Sequence, residues 1–210
     1  MPFGFGRKKD EAVAHVDPEV PVVDPHAPRA VQFRGFTEDW RLEGAMELSG
    51  RLLDLLNQRD TISVTDVRWA PLDGSADLEP APGIRIVDPY DLIIVVAGSD
   101  TLAGRTDDER SAHRIHKVPF DVALDAPPFR VVGSVQIHPG AVPESLLDRG
   151  TQMFAAITDP TVELGEASVD LGDADAVLVN RFYLRGVQQV DRSTGLPYPP
   201  MPEVGRGVGD

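Results

Sequence analysis

One sequence pattern occurs twice in this chain, and no other feature limits the possible folds as strongly. The string WRLEG, which begins at Trp40, aligns with FRVVG, which begins at Phe129, at a spacing of 89 residues. Further on, ISVTD from Ile62 aligns with AAITD from Ala155 at a spacing of 93. The larger spacing means that the second copy has about four extra residues in its first loop.

A third block completes the repeat and sets the domain boundaries. DLIIV, which begins at Asp91, aligns with DAVLV, which begins at Asp175. The order of blocks predicts a first β-rich repeat over 31–99 and a second over 117–190. The polar residues 100–116 between them are predicted to be a joint.

Both ends of the chain have the composition of arms. Residues 1–30 are rich in proline and lack an apolar period, so we predict a disordered N-terminal arm. Residues 191–210 are rich in proline and glycine and are predicted to be a C-terminal tail. Within the tail, Tyr198, Pro199 and Pro200 either form a polyproline II ligand for an aromatic groove or lie in a solvated segment.

Local periodicity predicts short strands and one short helix in each repeat. Residues 40–48 alternate apolar and polar side chains, which is typical of a half-buried strand, and Gly44 inside it indicates a bulge or a close backbone approach. Residues 51–57 have leucines at helical spacing, with Asn57 as the expected stop. Residues 92–97 are almost wholly apolar and should be the most buried strand.

These elements predict a mainly β fold. We expect two tandem small antiparallel β-barrel-like units of SH3-like or Sm-like type, each with one short helix and related by a pseudo-two-fold axis.

Composition and charge exclude several functions. The net charge is −14, which repels phosphate backbones and argues against nucleic-acid binding, RNA included. The chain has no cysteine, so disulfides, thiolate metal sites and cysteine nucleophiles are excluded. No signal peptide pattern and no stretch of 18 apolar residues is present, so we expect a cytoplasmic protein that is not integral to a membrane.

The first-repeat motif resembles a signature of an uncharacterised bacterial domain family. The string GRLLDLLN, which begins at Gly50, is followed by VTD from Val64, and that family has R-L-S-D-L-L-N and then a strand ending near T-D. This chain has Leu53 where the family has serine, and the second copy lacks the asparagine. The resemblance implies a small β-rich domain and transfers no functional residue.

A metal site is one candidate for chemistry. His113 and His116 are three residues apart, so on a helix they would share a face with acidic residues close by in sequence. This pair would support a metal-assisted hydrolase. The alternative is an exposed polar joint in which the histidines pair with acids.

Other recurring or basic side chains are candidates for binding. Arg181, Tyr183 and Arg185 lie in the most basic and aromatic stretch, and they form either an outward contact patch or the interface between the repeats. The acids Asp66 and Asp159 recur at equivalent strand ends, where they either share a site or hydrogen-bond to the following turn.

The chain contains no sequence motif of a hydrolase nucleophile, a phosphate-binding loop or a metalloprotease. We therefore expect a non-enzymatic protein-binding or scaffold protein with a protein partner and no cofactor. The metal-assisted hydrolase is the alternative. The sequence does not determine the oligomeric state.

Overall fold

The structure is a computed structural model, and it describes residues 27–102, 117–150, 152–194 and 196–198. Short strands dominate the described part of the chain, as the alternating patterns predict.

The strands of the first half are β1 (Arg29–Phe36), β2 (Trp40–Leu48), β3 (Ile62–Ser63), β4 (Thr65–Pro71), β5 (Glu79–Pro80), β6 (Ile86–Val87) and β7 (Ile94–Ala97). The strands of the second half are β8 (Val118–Ala126), β9 (Phe129–Ile137), β10 (Phe154–Leu164), β11 (Ala167–Ser168), β12 (Ala176–Asn180) and β13 (Gly186–Gln189). Among the described residues, the helices are α1 (Leu52–Gln58), α2 (Ser99–Leu102) and two 3₁₀ segments at Pro89–Asp91 and Pro143–Leu147.

In the described part of the chain, eleven strands form one antiparallel sheet in the order β13-β8-β9-β10-β12-β7-β1-β2-β4-β5, with β11 also paired to β10. Strands β3 and β6 form a separate two-stranded sheet. The expectation of two barrels is wrong, because the large sheet is open in the described part of the chain. The reason is that β7 and β12 pair with each other, so the two halves join into one sheet.

The hairpins β1–β2 and β8–β9 have the same register after a shift of 89 residues. The first pairs Phe36 with Arg41, and the second pairs Asp125 with Arg130. Every other pair of β1–β2 has its counterpart in β8–β9 at the same shift. The sequence spacing of the first repeat block is therefore also the spacing of the strand pairing.

Gly44 and Gly133 both lie where a neighbouring strand comes unusually close. A Cβ added to Gly44 would be 2.8 Å from the carbonyl oxygen of Thr65, and one added to Gly133 would be 2.8 Å from that of Thr158. The strand register shifts at both places. The close approach expected at Gly44 is thus confirmed, and it occurs twice.

The residues after these threonines have left-handed backbones. Asp66 has φ of 52° and Asp159 has φ of 46°. Aspartate is among the few non-glycine residues that adopt this conformation readily. The recurring acids therefore shape a bulge in each half.

The strands that follow the bulges pair alike in both halves. β3–β6 pairs Ser63 with Ile86, and β10–β12 pairs Ala156 with Leu178. The shift from Ile86 to Leu178 is 92 residues. Strand β12 therefore occupies in the second half the place that β6 has in the first.

The same shift relates β7 to β13. β1–β7 pairs Phe36 with Ile94, and β8–β13 pairs Asp125 with Gly186. The sequence alignment of the third block, which equated β7 with β12, does not match this pairing. Both are short apolar strands buried on both faces, so their sequences look alike although their positions in the sheet differ.

Helix α1 forms where the leucine spacing predicts it, with Leu52 and Leu56 buried. It ends one residue beyond Asn57, the expected stop, and Arg59 adopts the left-handed cap with φ of 66°. Asn57 instead links α1 to β10, because its Oδ1 accepts hydrogen bonds from the N–H groups of Met153 and of Phe154, the first residue of β10.

Two hydrophobic cores hold the halves together. The first contains Leu48 and Leu56 from the first half and Phe154 from the second. The second contains Phe36 and Phe129, whose rings meet edge to face at 5.6 Å between centroids. Each core draws side chains from both halves, so neither half buries its apolar face alone.

The ends of the predicted segments differ in detail from the structure. Strand β1 already begins at Arg29, inside the predicted arm 1–30, and β13 ends at Gln189, one residue before the predicted end of the second repeat. Most of the joint 100–116 lies outside the described residues. Within the described residues, no helix is long and apolar enough to cross a membrane.

Candidate binding surface

Two tryptophans stack on the surface at the ends of β2 and β4. The rings of Trp40 and Trp69 are 4.4 Å apart between centroids with an interplanar angle of 18°, and each residue is 36% exposed. Pairing of β2 with β4 brings them together, because Leu42 is directly opposite Trp69. Exposed aromatic faces of this kind are common at sites that bind partners.

Two turns position the groups around the tryptophans. The hydroxyl of Thr37 accepts a hydrogen bond from the Trp40 N–H at 3.0 Å, which fixes the turn that carries Glu38 and Asp39. The N–H of Leu72 donates to the Asp39 carbonyl at 2.9 Å and ties this turn to the end of β4. The turns form one wall of a cleft.

The cleft has a volume of about 670 Å³ and draws residues from both halves. Its lining consists of Glu38, Asp39, Trp40, Pro71, Leu72, Asp73, Pro128, Leu164 and Gly165. Three of these residues are acidic and none is basic. Hydrogen bonds from Ser75 lower the pKa of Asp73, so this carboxylate stays ionised well into the acidic range.

A second cavity of about 430 Å³ adjoins the cleft, and the two share Pro71, Leu72, Asp73 and Leu164. Arg41 and Asp170 also line it. The Nε of Arg41 is buried and has no hydrogen-bond acceptor within the described residues, and its nearest carboxylate, that of Glu43, is 3.9 Å away. The cleft therefore offers three carboxylates and the exposed ring of Trp40, and the adjoining cavity adds the Arg41 side chain.

Arg181 does not form the outward patch that its sequence suggested. It is only 7% exposed, and its guanidinium donates to the carbonyls of Ser145 and Leu146 at 2.8 Å and to that of Asp148. Burial lowers the pKa of Arg181, and the nearby Asp148 opposes this effect. The side chain stabilises the 3₁₀ segment of the second half, so Arg181 is not part of an outward contact patch.

Tyr183 and Arg185 do not form a shared outward patch either. Tyr183 is half-buried, and its hydroxyl donates to the Tyr90 carbonyl at 3.2 Å. Burial raises the pKa of Tyr183, and the negative charges of Glu38 and Asp91 add to this effect. The Arg185 side chain is exposed, and its main-chain N–H donates to the Asp125 carbonyl of β8.

The start of the C-terminal tail folds back onto β13. Val190 forms a β-bridge with Pro197, and the Tyr198 N–H donates to the Gln189 carbonyl at 3.1 Å. The Tyr198 side chain is exposed. The other predicted ligand residues of the tail, Pro199 and Pro200, lie outside the described residues.

His113 and His116, the predicted metal ligands, also lie outside the described residues, so the metal-assisted hydrolase stays a prediction. The described part of the chain holds no group of three His, Asp or Glu residues that could bind a metal ion.

The recurring acids Asp66 and Asp159 do not share a site. They lie on β4 and β10, which four other strands separate in the sheet. Asp159 binds Arg192 through its carboxylate at 3.2 Å and through its carbonyl at 2.8 Å.

The sequence pattern did not reveal the cleft. Alternation placed Trp40 on the buried face of β2 beside Leu42, and Trp69 is 29 residues further along the chain. A usable signal was the presence of acidic turn residues, Asp39 and Asp73, within four residues of each tryptophan.

No family model matches this chain, and neither a curated protein nor a solved structure matches it.

Proposed function

We propose that this chain is a non-enzymatic scaffold protein whose acidic tryptophan cleft binds a basic segment of a partner protein. The stacked pair Trp40–Trp69 beside three carboxylates is the observation that carries the proposal. Indole faces attract lysine and arginine side chains, and carboxylates pair with the same cations. The net charge of −14 favours encounter with a basic partner.

The inner end of the cleft suits the main chain of such a segment. The Arg41 side chain is partly exposed and lines the adjoining cavity, where its guanidinium would donate to a peptide carbonyl, while Leu72 and Leu164 offer apolar surface. Apolar walls with a few placed polar groups are typical of a site that binds a peptide.

The proposal includes duplication of one structural unit. The hairpin register at a shift of 89 and the pairing of the later strands at a shift of 92 both support it. We propose that each unit is an opened relative of the small SH3-like or Sm-like barrels. The resemblance to the uncharacterised bacterial family remains a proposal of the same kind.

Intrinsic fluorescence tests the proposed binding directly, because one of the chain's two tryptophans, Trp40, lines this cleft and the other, Trp69, stacks on it. A lysine- and arginine-rich peptide should change the emission in a saturable way and bind more weakly as salt is raised. A peptide of equal length with glutamate in place of the basic residues is the control. No change with the basic peptide would contradict the proposal.

Calorimetry with variants locates the site. Replacing both Asp39 and Asp73 by asparagine should weaken binding of the basic peptide by about tenfold, since two charge pairs are lost. Replacing both Asp54 and Asp60 by asparagine is the matched control, because both are exposed and neither lines the cleft. Equal losses in the cleft variant and the control would place the effect in the overall charge rather than in the cleft.

A further inference from the structure

The two halves are joined by a seam between β12 and β7. Leu178 pairs with Val95 and Val179 pairs with Ile94, and all four residues are fully buried. Asn180 extends the seam, because its N–H donates to the Ile93 carbonyl at 2.8 Å. The seam is thus a complete antiparallel interface between an edge of each half.

The first half has the counterpart of β12 in β6, but the outer edge of β6 is open. Ile86 of β6 corresponds to Leu178 of β12, since each pairs at the same place with the preceding strand. Leu178 is fully buried in the seam, whereas Ile86 is 62% exposed. Among the described residues, β6 pairs only with β3.

The main chain of Ile86 faces this open side. The Val64 N–H donates to the Arg85 carbonyl at 3.0 Å, so the main chain of Arg85 faces β3. Main-chain groups alternate in direction along a strand of an antiparallel pair, so the N–H and C=O of Ile86 face away from β3. An exposed edge of this kind is a template for pairing with another chain.

The second half has the counterpart of β7 in β13, and its outer edge is only partly covered. The Tyr198 N–H donates to the Gln189 carbonyl at 3.1 Å, just as the Asp175 N–H donates to the Ala97 carbonyl at 3.1 Å in the seam. The tail therefore takes the place of the start of β12 at one end of β13. Pro199 and Pro200 follow in sequence, and neither has an N–H to extend this ladder.

We propose that the protein assembles head to tail, with the open edge of β6 in one copy pairing with β13 of a second copy as β12 pairs with β7 within the chain. In the seam, Leu178 pairs with Val95; the counterpart of Leu178 in β6 is Ile86, and the counterpart of Val95 in β13 is Val187, each 92 residues away. The same pairing between two copies therefore places Ile86 opposite Val187 of the second copy and Val87 opposite its Gly186. The proposal rests on the structural equivalence of the two halves. It goes beyond the function proposed for the cleft and does not require a basic ligand to be bound there.

Grooves that expose more apolar than polar surface flank both edges. The groove beside β6 has a volume of about 830 Å³ and is lined by Pro80, Pro82 and Ile84. The groove beside β13 has a volume of about 1190 Å³ and includes Phe120 and Val142. Surface of this kind is what a second copy would cover, and because the two edges differ, the contact generates a ring or an open chain of copies.

The turn at the start of the C-terminal tail, which we call the tail turn (residues 191–198), competes with a second copy for the edge of β13. Arg192 holds the turn by donating to the carbonyl and the carboxylate of Asp159 at 2.8 and 3.2 Å. Releasing this turn frees the full length of β13. The strength of assembly should therefore depend on Arg192.

Sedimentation velocity of the full-length chain over a concentration series tests the proposal. The wild type should associate as concentration rises, and Arg192→Ala should shift the midpoint to a concentration lower by up to about fivefold. Ile86→Lys should raise the midpoint by about tenfold or more, while Val118→Lys, at another exposed apolar strand position, should leave it unchanged. Wild type and Arg192→Ala that both remain monomeric throughout the series would overturn the proposal.

A mixing experiment separates head-to-tail assembly from a symmetric dimer through two β6 edges. Ile86→Lys chains retain an intact β13, so tagged Ile86→Lys should still capture the wild type and limit its assemblies to smaller species. In a symmetric β6 dimer the variant would capture no wild type, and that result would overturn the head-to-tail arrangement. Circular dichroism of the variant confirms that it is folded, as expected for a substitution at an exposed side chain.

Discussion

Asp88 and Asn180 make the same hydrogen bond at positions 92 residues apart. The Oδ1 of Asp88 accepts from the Tyr90 N–H at 2.9 Å, and the Oδ1 of Asn180 accepts from the Phe182 N–H at 3.0 Å. Each begins the short turn that leads into the last strand of its half. The environments differ, because Asp88 is exposed and Asn180 is fully buried.

The buried position requires an amide rather than a carboxylate. The Nδ2 of Asn180 donates to the carbonyls of Leu92 at 2.8 Å and Pro89 at 3.3 Å. Asn180→Asp would remove these donors and place a buried carboxylate against two carbonyl oxygens. We expect a loss of about 3–5 kcal/mol in the free energy of unfolding near neutral pH, measured by urea denaturation.

The exposed counterpart is the control for this substitution. Asp88→Asn keeps the accepting oxygen and should change stability by less than about 0.5 kcal/mol. The loss in Asn180→Asp should shrink as pH falls, because a buried carboxyl has a pKa raised above its unfolded value and is neutral below that pKa. A loss that does not change between neutral pH and about pH 5 would contradict this account.

Local patterns predicted the elements of this fold well but not how the halves join. The alternation over 40–48 and the leucine spacing of α1 gave elements that the structure contains. The pairing of β7 with β12 depends on contacts about 80 residues apart in sequence, which local periodicity does not encode. Buried apolar strands have no polar face to fix their place in a sheet, so the third repeat block aligns β7 with β12 although β7 corresponds to β13 by its pairing.

The candidate site was harder to predict for a related reason. A basic residue such as Arg181 is usually exposed, and here it is buried only because three carbonyls converge on it. Trp40 and Trp69 become neighbours only through the register of β2 and β4. Both results depend on tertiary pairing and not on the residues' own sequence neighbours.

The close approach at Gly133 predicts that the position tolerates no side chain. A Cβ there would be 2.6 Å from Cγ2 of Ile157 and 2.8 Å from the carbonyl oxygen of Thr158. Gly133→Ala should lower the free energy of unfolding by about 1–3 kcal/mol through overpacking, as thermal or urea denaturation would measure. Gly83→Ala is the control, because nothing lies within 4 Å of its added Cβ, and equal effects at both positions would refute the steric explanation.

The guanidinium of Arg181 cannot be replaced by an ammonium without loss. It serves the carbonyls of Ser145, Leu146 and Asp148 from two nitrogens held in one plane, a geometry that lysine lacks. Arg181→Lys should cost about 1–3 kcal/mol of unfolding free energy and speed amide hydrogen exchange in the 3₁₀ segment Pro143–Leu147. Arg185→Lys, at an exposed position, should do neither, and an unaltered exchange rate in Arg181→Lys would show that the contacts do not hold the segment.

Asp191 controls the tail turn through its charge. Its Oδ1 accepts from the Ser193 hydroxyl at 2.6 Å and from the Ser193 and Thr194 N–H groups at 2.8 and 3.3 Å. The hydrogen bonds from Ser193 lower the pKa of Asp191. A lowered folded pKa means that the charge stabilises the turn above the unfolded pKa of about 3.9, and that this stabilisation is lost as pH falls through the folded pKa.

Removing the hydroxyl should therefore move the pKa of Asp191 upward in a measurable way. In Ser193→Ala, an NMR titration of the Asp191 carboxyl carbon should show a pKa closer to that of a free aspartate, and the protection of the Tyr198 amide against hydrogen exchange, relative to its intrinsic rate, should be lost at a higher pH than in the wild type. Ser75→Ala is the matched control, because it removes the equivalent bond to Asp73 and should leave Asp191 unchanged. An Asp191 pKa that is the same in wild type and Ser193→Ala would mean that this hydrogen bond does not set the charge of the turn.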